Sequence, residues 1–289
     1  MQCLVFADGD DHVIKIYEQS AGLENLNRLM QFYASLDQSS VAFSLPEIIA
    51  IGKAKSHILV REKRLYGISP TLDNLNQFSS NELTIFFRNY VDVLFQIQNI
   101  KTNFLEPGEP LDQTGDFIRY SYYGSWQSLL ISNVLHKQAI SGSLFLPYVP
   151  DLKNIVDRIV ENIPLLPYDK NDLIHGDFYP ANTLMDQNFN ITAVLDFGTY
   201  TLVGDPIYDI ALGWIFADMY QNVKPLQAVD FVGDLIRERL SVEEFRRMKL
   251  YILIYSLLSA DIYCDPDAPD GHFQWAMNNL NNKDFREVL

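Results

Sequence analysis

Residues 175–196 hold four side chains whose types and spacing suit phosphoryl transfer: His175, Asp177, Asn182 and Asp196. Asp196, followed by Phe197-Gly198, is a hard oxygen donor suited to Mg²⁺, and Asn182 offers a neutral amide oxygen as a second donor. Asp177, five residues before Asn182, can accept the proton of a hydroxyl as that hydroxyl attacks phosphorus. Phosphoryl transfer asks little covalent chemistry of a protein. It needs a metal cage, a carboxylate for the acceptor's proton, and rigid positioning.

The elements that must position these groups lie in the run LIHGDFYPANTLMDQNFNITAVLDFGTYTLVGDPIYD, residues 173–209. The apolar pair Leu173-Ile174 leads into HGDFYPAN, where Pro180 excludes a regular helix or a central strand. Residues 182–185 read as a short strand, 186–190 as a turn and 191–195 as the returning strand. Such a hairpin brings Asn182 and Asp196 together at its open end.

His-x-Asp-x4-Asn followed by Asp-Phe-Gly is the order of the kinase signature. HGDFYPAN, LDFG and GDPIYDIA resemble the aminoglycoside phosphotransferase and choline kinase branch of the kinase-like enzymes, which phosphorylate hydroxyls of small molecules. The resemblance is specific over about residues 173–213. It implies that Asp177 is the catalytic base, that Asn182 and Asp196 are magnesium ligands, that His175 braces the catalytic loop, and that Asp209 ties the following helix to it.

Upstream, residues 3–7 and 13–17 read as two strands around Asp8-Gly-Asp-Asp. Lys15, in VIKIY, fits a solvated strand face equally well. The resemblance gives it the place of the lysine that contacts the nucleotide phosphates, a role needing a carboxylate from the next helix, residues 21–36. Glu24 is the expected partner, with Glu18 in reserve. One departure stands out: only one strand precedes Lys15, and the DGDD turn would set three carboxylates against a triphosphate. A strand-like segment over 41–52 and a strand over 56–60 complete a small lobe. Residues 61–68 resemble the hinge, and the side chains of Arg61-Glu-Lys-Arg read as a solvated connector.

The rest reads as helical. Ser79 and Glu82, and again Ser241 and Glu244, stand at capping-box spacing. Residues 79–100, 126–137, 151–163, 210–220, 224–240 and 241–263 are the expected helices. The segment DIYCDPDAPDGHFQW places Asp261, Asp265, Asp267 and Asp270 in ten residues. It is either an exposed interhelical loop or, as the resemblance implies, a negative rim for an amine-bearing acceptor.

Composition bounds the partners. The 289-residue chain carries a net charge of -15, of which -12 falls in residues 96–289. That balance argues against nucleic acid or anionic membranes and suits cationic substrates. Cys3 and Cys264 have no metal or redox spacing, the N-terminus does not read as a signal peptide, and no apolar run reaches membrane-spanning length. The expectation is a cytoplasmic α+β protein with a two-lobed, protein-kinase-like fold: a small antiparallel β lobe (1–60), a hinge (61–68) and a larger, mainly helical lobe (69–289). It would use ATP or GTP with Mg²⁺ to phosphorylate an aminoglycoside-like antibiotic. The alternatives are a metabolic kinase for choline, an amino alcohol or a sugar, and a nucleotide-binding pseudo-enzyme.

Overall fold

The computed structural model describes residues 3–111, 125–166, 172–198, 200–219, 228–262 and 271–289. Two β-rich runs around Gly9, whose φ of 70° suits the tight turn, form strands β1 (Leu4–Asp8) and β2 (His12–Glu18). Helix α1 (Leu23–Ser35) follows, then β3 (Ile48–Ala54) and β4 (His57–Lys63). The four strands make one antiparallel sheet in the order β1-β2-β4-β3.

β4 runs three residues past the expected end. Its alternation continues, with Ile58, Val60 and Glu62 buried and Arg61 and Lys63 exposed. The expectation that the 61–64 run is all solvated connector therefore fails at Glu62, which is only 5% exposed. Period-two geometry turns it inward with Ile58 and Val60.

The larger part holds α2 (Leu72–Leu75), α3 (Ser80–Ile97), α4 (Trp126–Phe145), α5 (Leu152–Asn162), α6 (Ile207–Met219), α7 (Ala228–Arg237), α8 (Val242–Ser259), α9 (Gly271–Asn281) and α10 (Lys283–Arg286). Both expected capping boxes form, Ser79 with Glu82 at α3 and Ser241 with Glu244 at α8. Among the described residues, four short strands lie between α5 and α6. β5 (Asp172–Ile174) pairs with β8 (Leu202–Gly204), and β6 (Thr183–Met185) pairs with β7 (Ile191–Val194) as the expected hairpin.

Helix α3 supports the loop after β5 from beneath. Tyr90 stacks on Phe178 with ring centroids 4.8 Å apart and donates its hydroxyl to the Phe178 carbonyl at 3.0 Å. The two parts meet at the hairpin. Ile68 and Met185 exchange backbone hydrogen bonds of 2.9 and 3.0 Å, and Ser44 does the same with Thr192 and Val194 at 2.9 and 3.1 Å. The small sheet is thereby docked on the element that carries Asn182 and Asp196. Among the described residues no helix is long and apolar enough to cross a membrane.

Candidate active site

The turn after β5 is forced by Gly176, whose φ is 79° and where an added Cβ would lie 2.0 Å from the Tyr200 carbonyl oxygen. Only glycine fits that approach. The turn aims two backbone N–H groups at Asp209 in the first turn of α6: His175 donates at 2.6 Å and Gly176 at 2.9 Å. Asp209 is 2% exposed, and burial lifts its pKa to about 7 against the pull of those two donors.

His175 is fully buried. Its Nδ1 accepts from the Asp177 N–H at 3.2 Å, so Nε2 carries the proton and donates to the Leu195 carbonyl at 2.7 Å. Burial holds the ring neutral, lowering its pKa to about 4 although the hydrogen bond to Leu195 opposes this. The Phe197 ring lies 4.3 Å from the imidazole and packs with Phe32 and Tyr33 of α1.

The Asn182 amide Nδ2 donates to the Asp177 carbonyl at 2.9 Å and to Asp177 Oδ2 at 3.1 Å. Burial raises the Asp177 pKa to about 7, the Asn182 amide opposing and the Asp196 charge adding. Asp196 has φ 57°, the left-handed region that asparagine and aspartate tolerate best, and its side chain is 60% exposed. With its nitrogen committed to Asp177, Asn182 has its amide oxygen left for a cation, beside the carboxylate of Asp196. A hard, all-oxygen pair completed by phosphate and water is what Mg²⁺ takes, so the residues fit that ion.

Lys15 stands across the cleft, its Nζ 3.0 Å from Glu62 Oε2 and 3.9 Å from Asp196 Oδ1. Burial opposes its charge, but Glu62 and Asp196 together hold the pKa above the ordinary lysine value. The expected partner Glu24 is not there. It sits exposed in the first turn of α1, whose cleft side instead carries Leu29 and Tyr33. Glu18 is excluded by the pleat, since residues three apart on a strand point to opposite faces. Glu62 was missed because its proximity comes from strand register: Lys15 faces Val60, Val13 faces Glu62, and the diagonal pair lies on one side of the sheet.

Lys15, Asp177, Asn182 and Asp196 line a cavity of about 340 Å³ together with Tyr33, Tyr179 and Tyr200. A second cavity of about 410 Å³ shares Lys15, Tyr17 and Asp196. Val5 and Val13 of the sheet and Leu65, Leu184 and Leu195 also line it. Lys137 Nζ holds Asp261 at 2.6 Å, and Ser141 hydrogen-bonds the same carboxylate, so Asp261 is matched within the fold rather than offered as free charge. Asp265, Asp267 and Asp270 lie outside the described residues.

The sequence profile of the phosphotransferase enzyme family matches residues 4–251. The chain belongs to that family. A comparison with curated proteins gives no match. Solved aminoglycoside phosphotransferases share the fold at low identity. A thermostable mutant of APH(4)-Ia in its apo form is 16% identical, TM-score 0.59, the match covering 100% of this chain and 94% of the other. An APH(2'') enzyme with GDP and kanamycin is 14% identical, TM-score 0.60, with 98% and 94% covered. APH(2'')-IIa with streptomycin and ATP is 17% identical, TM-score 0.53, with 98% and 92% covered. This member of the family thus has the two-lobed kinase-like architecture, an antiparallel sheet lobe and a helical lobe.

Proposed function

We propose that this phosphotransferase moves the γ-phosphoryl group of ATP or GTP to a hydroxyl of a small molecule, with Mg²⁺ in the cleft. One observation carries the reading: a largely apolar cavity with room for a nucleobase and a polar cavity holding Asp177 meet at Lys15 and Asp196. The base would lie between Val5 and Val13 above and Leu184 and Leu195 below, beside residues 64–68 as the hinge. Lys15 would bind the phosphates.

Asn182 and Asp196 would hold Mg²⁺, which would supply positive charge against the negative charge of the phosphates. Asp177 accepts the acceptor's hydroxyl proton as the oxygen bonds to the γ-phosphorus and the bond to the leaving nucleoside diphosphate breaks. His175 and Asp209 fix the loop that carries Asp177. The Asp8 carboxylate, at the end of β1, is drawn to Arg61 at 2.7 Å, which would lessen its repulsion of a triphosphate.

An aminoglycoside-like acceptor is supported by the acidity of residues 96–289 and by the kanamycin and streptomycin of the structural neighbours. The neutralisation of Asp261 by Lys137 favours the second reading, a metabolic hydroxyl substrate of lower positive charge. The test begins with thermal stabilisation by ATP and GTP, with and without Mg²⁺. A native-state ligand at a hundred times its Kd adds about 2.7 kcal/mol. Magnesium-dependent stabilisation, followed by acceptor-dependent release of nucleoside diphosphate in a panel of aminoglycosides, amino alcohols and sugars, is expected. Stabilisation without turnover on any acceptor would favour a nucleotide-binding pseudo-enzyme, and no stabilisation would overturn the proposal.

A further inference from the structure

We propose that Glu62 of β4 is the residue that positions Lys15 for the phosphates, and that this clamp lies wholly within the small sheet, independent of α1. The inference rests on the reading of Lys15 as a phosphate ligand. Glu62 is a buried carboxylate on the wall of the apolar cavity, and its one close cation is Lys15, 3.0 Å away, among the described residues. A carboxylate there with no structural purpose would be replaced by an apolar side chain like its strand neighbours Ile58 and Val60, since burying a charge is costly unless it is paired.

Helix α1 cannot supply the carboxylate. It contains one, Glu24, exposed in its first turn. The helix is instead fastened to the larger part of the molecule. Arg28 donates to the Leu111 carbonyl at 2.9 Å and to Glu109 at 2.5 Å, Ser35 bonds Thr102 at 2.7 Å, and Tyr33 donates to the Phe197 carbonyl at 3.3 Å. Its cleft-facing residues, Leu29 and Tyr33, are uncharged. Lys15 and Glu62 sit on hydrogen-bonded neighbour strands, so any motion of the sheet against α1 carries the ion pair with it unbroken. Swinging α1 therefore cannot switch the lysine on or off.

The test measures Kd for the magnesium nucleotide and for the matching nucleoside, ATP with adenosine or GTP with guanosine, in the full chain. Glu62→Gln should weaken the triphosphate roughly tenfold or more, the scale of a hydrogen bond to a charged group, and weaken the nucleoside far less. Glu24→Gln and Glu18→Gln should change neither. In a Lys15→Met background, Glu62→Gln should have no further effect on triphosphate affinity, because its partner is already gone. If Glu62→Gln does not fold, Glu62→Asp, which keeps the charge at shorter reach, should show the same selective loss to a smaller degree.

Equal loss of triphosphate and nucleoside would assign Glu62 a packing role only and overturn the inference. So would unaltered affinity in Glu62→Gln or a loss in Glu24→Gln. A wild-type protein that binds neither magnesium nucleotide would overturn the functional reading beneath it.

Discussion

His175 donates its Nε2–H to the carbonyl of Leu195 at 2.7 Å, and Leu195 is the residue immediately before Asp196. One hydrogen bond thus joins the loop carrying Asp177 to the segment carrying the second oxygen donor, through a ring that must stay neutral inside the protein. The folded pKa is about 4, against about 6.5 when exposed. Below pH 6.5 the unfolded chain binds a proton that the native state refuses. This contribution to stability is complete above pH 6.5 and is lost as the pH falls toward 4, a change of about 3 kcal/mol. His175→Gln removes that titration. The stability gap between wild type and variant, from denaturant unfolding at pH 4.5 to 7.5, should widen with rising pH and level off near 6.5. A gap that stays constant would show that the imidazole is not kept neutral.

Asp177 titrates in the opposite sense. Burial raises its pKa to about 7, and a protonated carboxyl cannot take the acceptor's proton. Under the proposed mechanism kcat/KM should fall on the acid side with a midpoint near pH 7, by about tenfold per pH unit well below it. Asp177→Asn should lower turnover by roughly a hundred- to ten-thousandfold while leaving nucleotide binding in place. Activity flat from pH 5 to 8, or turnover retained in the variant, would remove Asp177 from the role.

What could be read in the sequence was what local rules determine. The capping boxes at Ser79 and Ser241, the β6–β7 hairpin and the loop fixed by Pro180 each depend on residues within a dozen positions of one another. The partners of Lys15 and Asp261 do not. Glu62 reaches Lys15 through strand register, and Lys137 reaches Asp261 from 124 residues away. A motif supplies the lysine but not its neighbour. The one available hint was the alternation of HILVREK, which, followed one step beyond Val60, already places Glu62 on the apolar side.

Asp209 accepts two buried N–H groups that have no other route to solvent. Asp209→Ala strands both, at about 1–3 kcal/mol each, so a destabilisation near 4 kcal/mol is expected in denaturant titration. Hydrogen exchange at His175 and Gly176 should accelerate together. A loss under 1 kcal/mol would mean that the loop holds its shape without α6.

Under the proposed function, a change at Asp196 should separate metal binding from phosphate binding. With Asn in its place the cleft keeps its shape but loses the carboxylate proposed to hold Mg²⁺, so stabilisation by nucleotide should become indifferent to Mg²⁺ and turnover should be lost. Lys15 also loses one of its two carboxylate neighbours and keeps Glu62. The remaining metal-free nucleotide binding should therefore change little, because the lysine stays clamped and one repelling charge has left the phosphate site. Comparing wild type and Asp196→Asn by thermal shift with nucleotide, with and without Mg²⁺, checks this. Magnesium-dependent stabilisation that survives in the variant would place the ion elsewhere in the cleft.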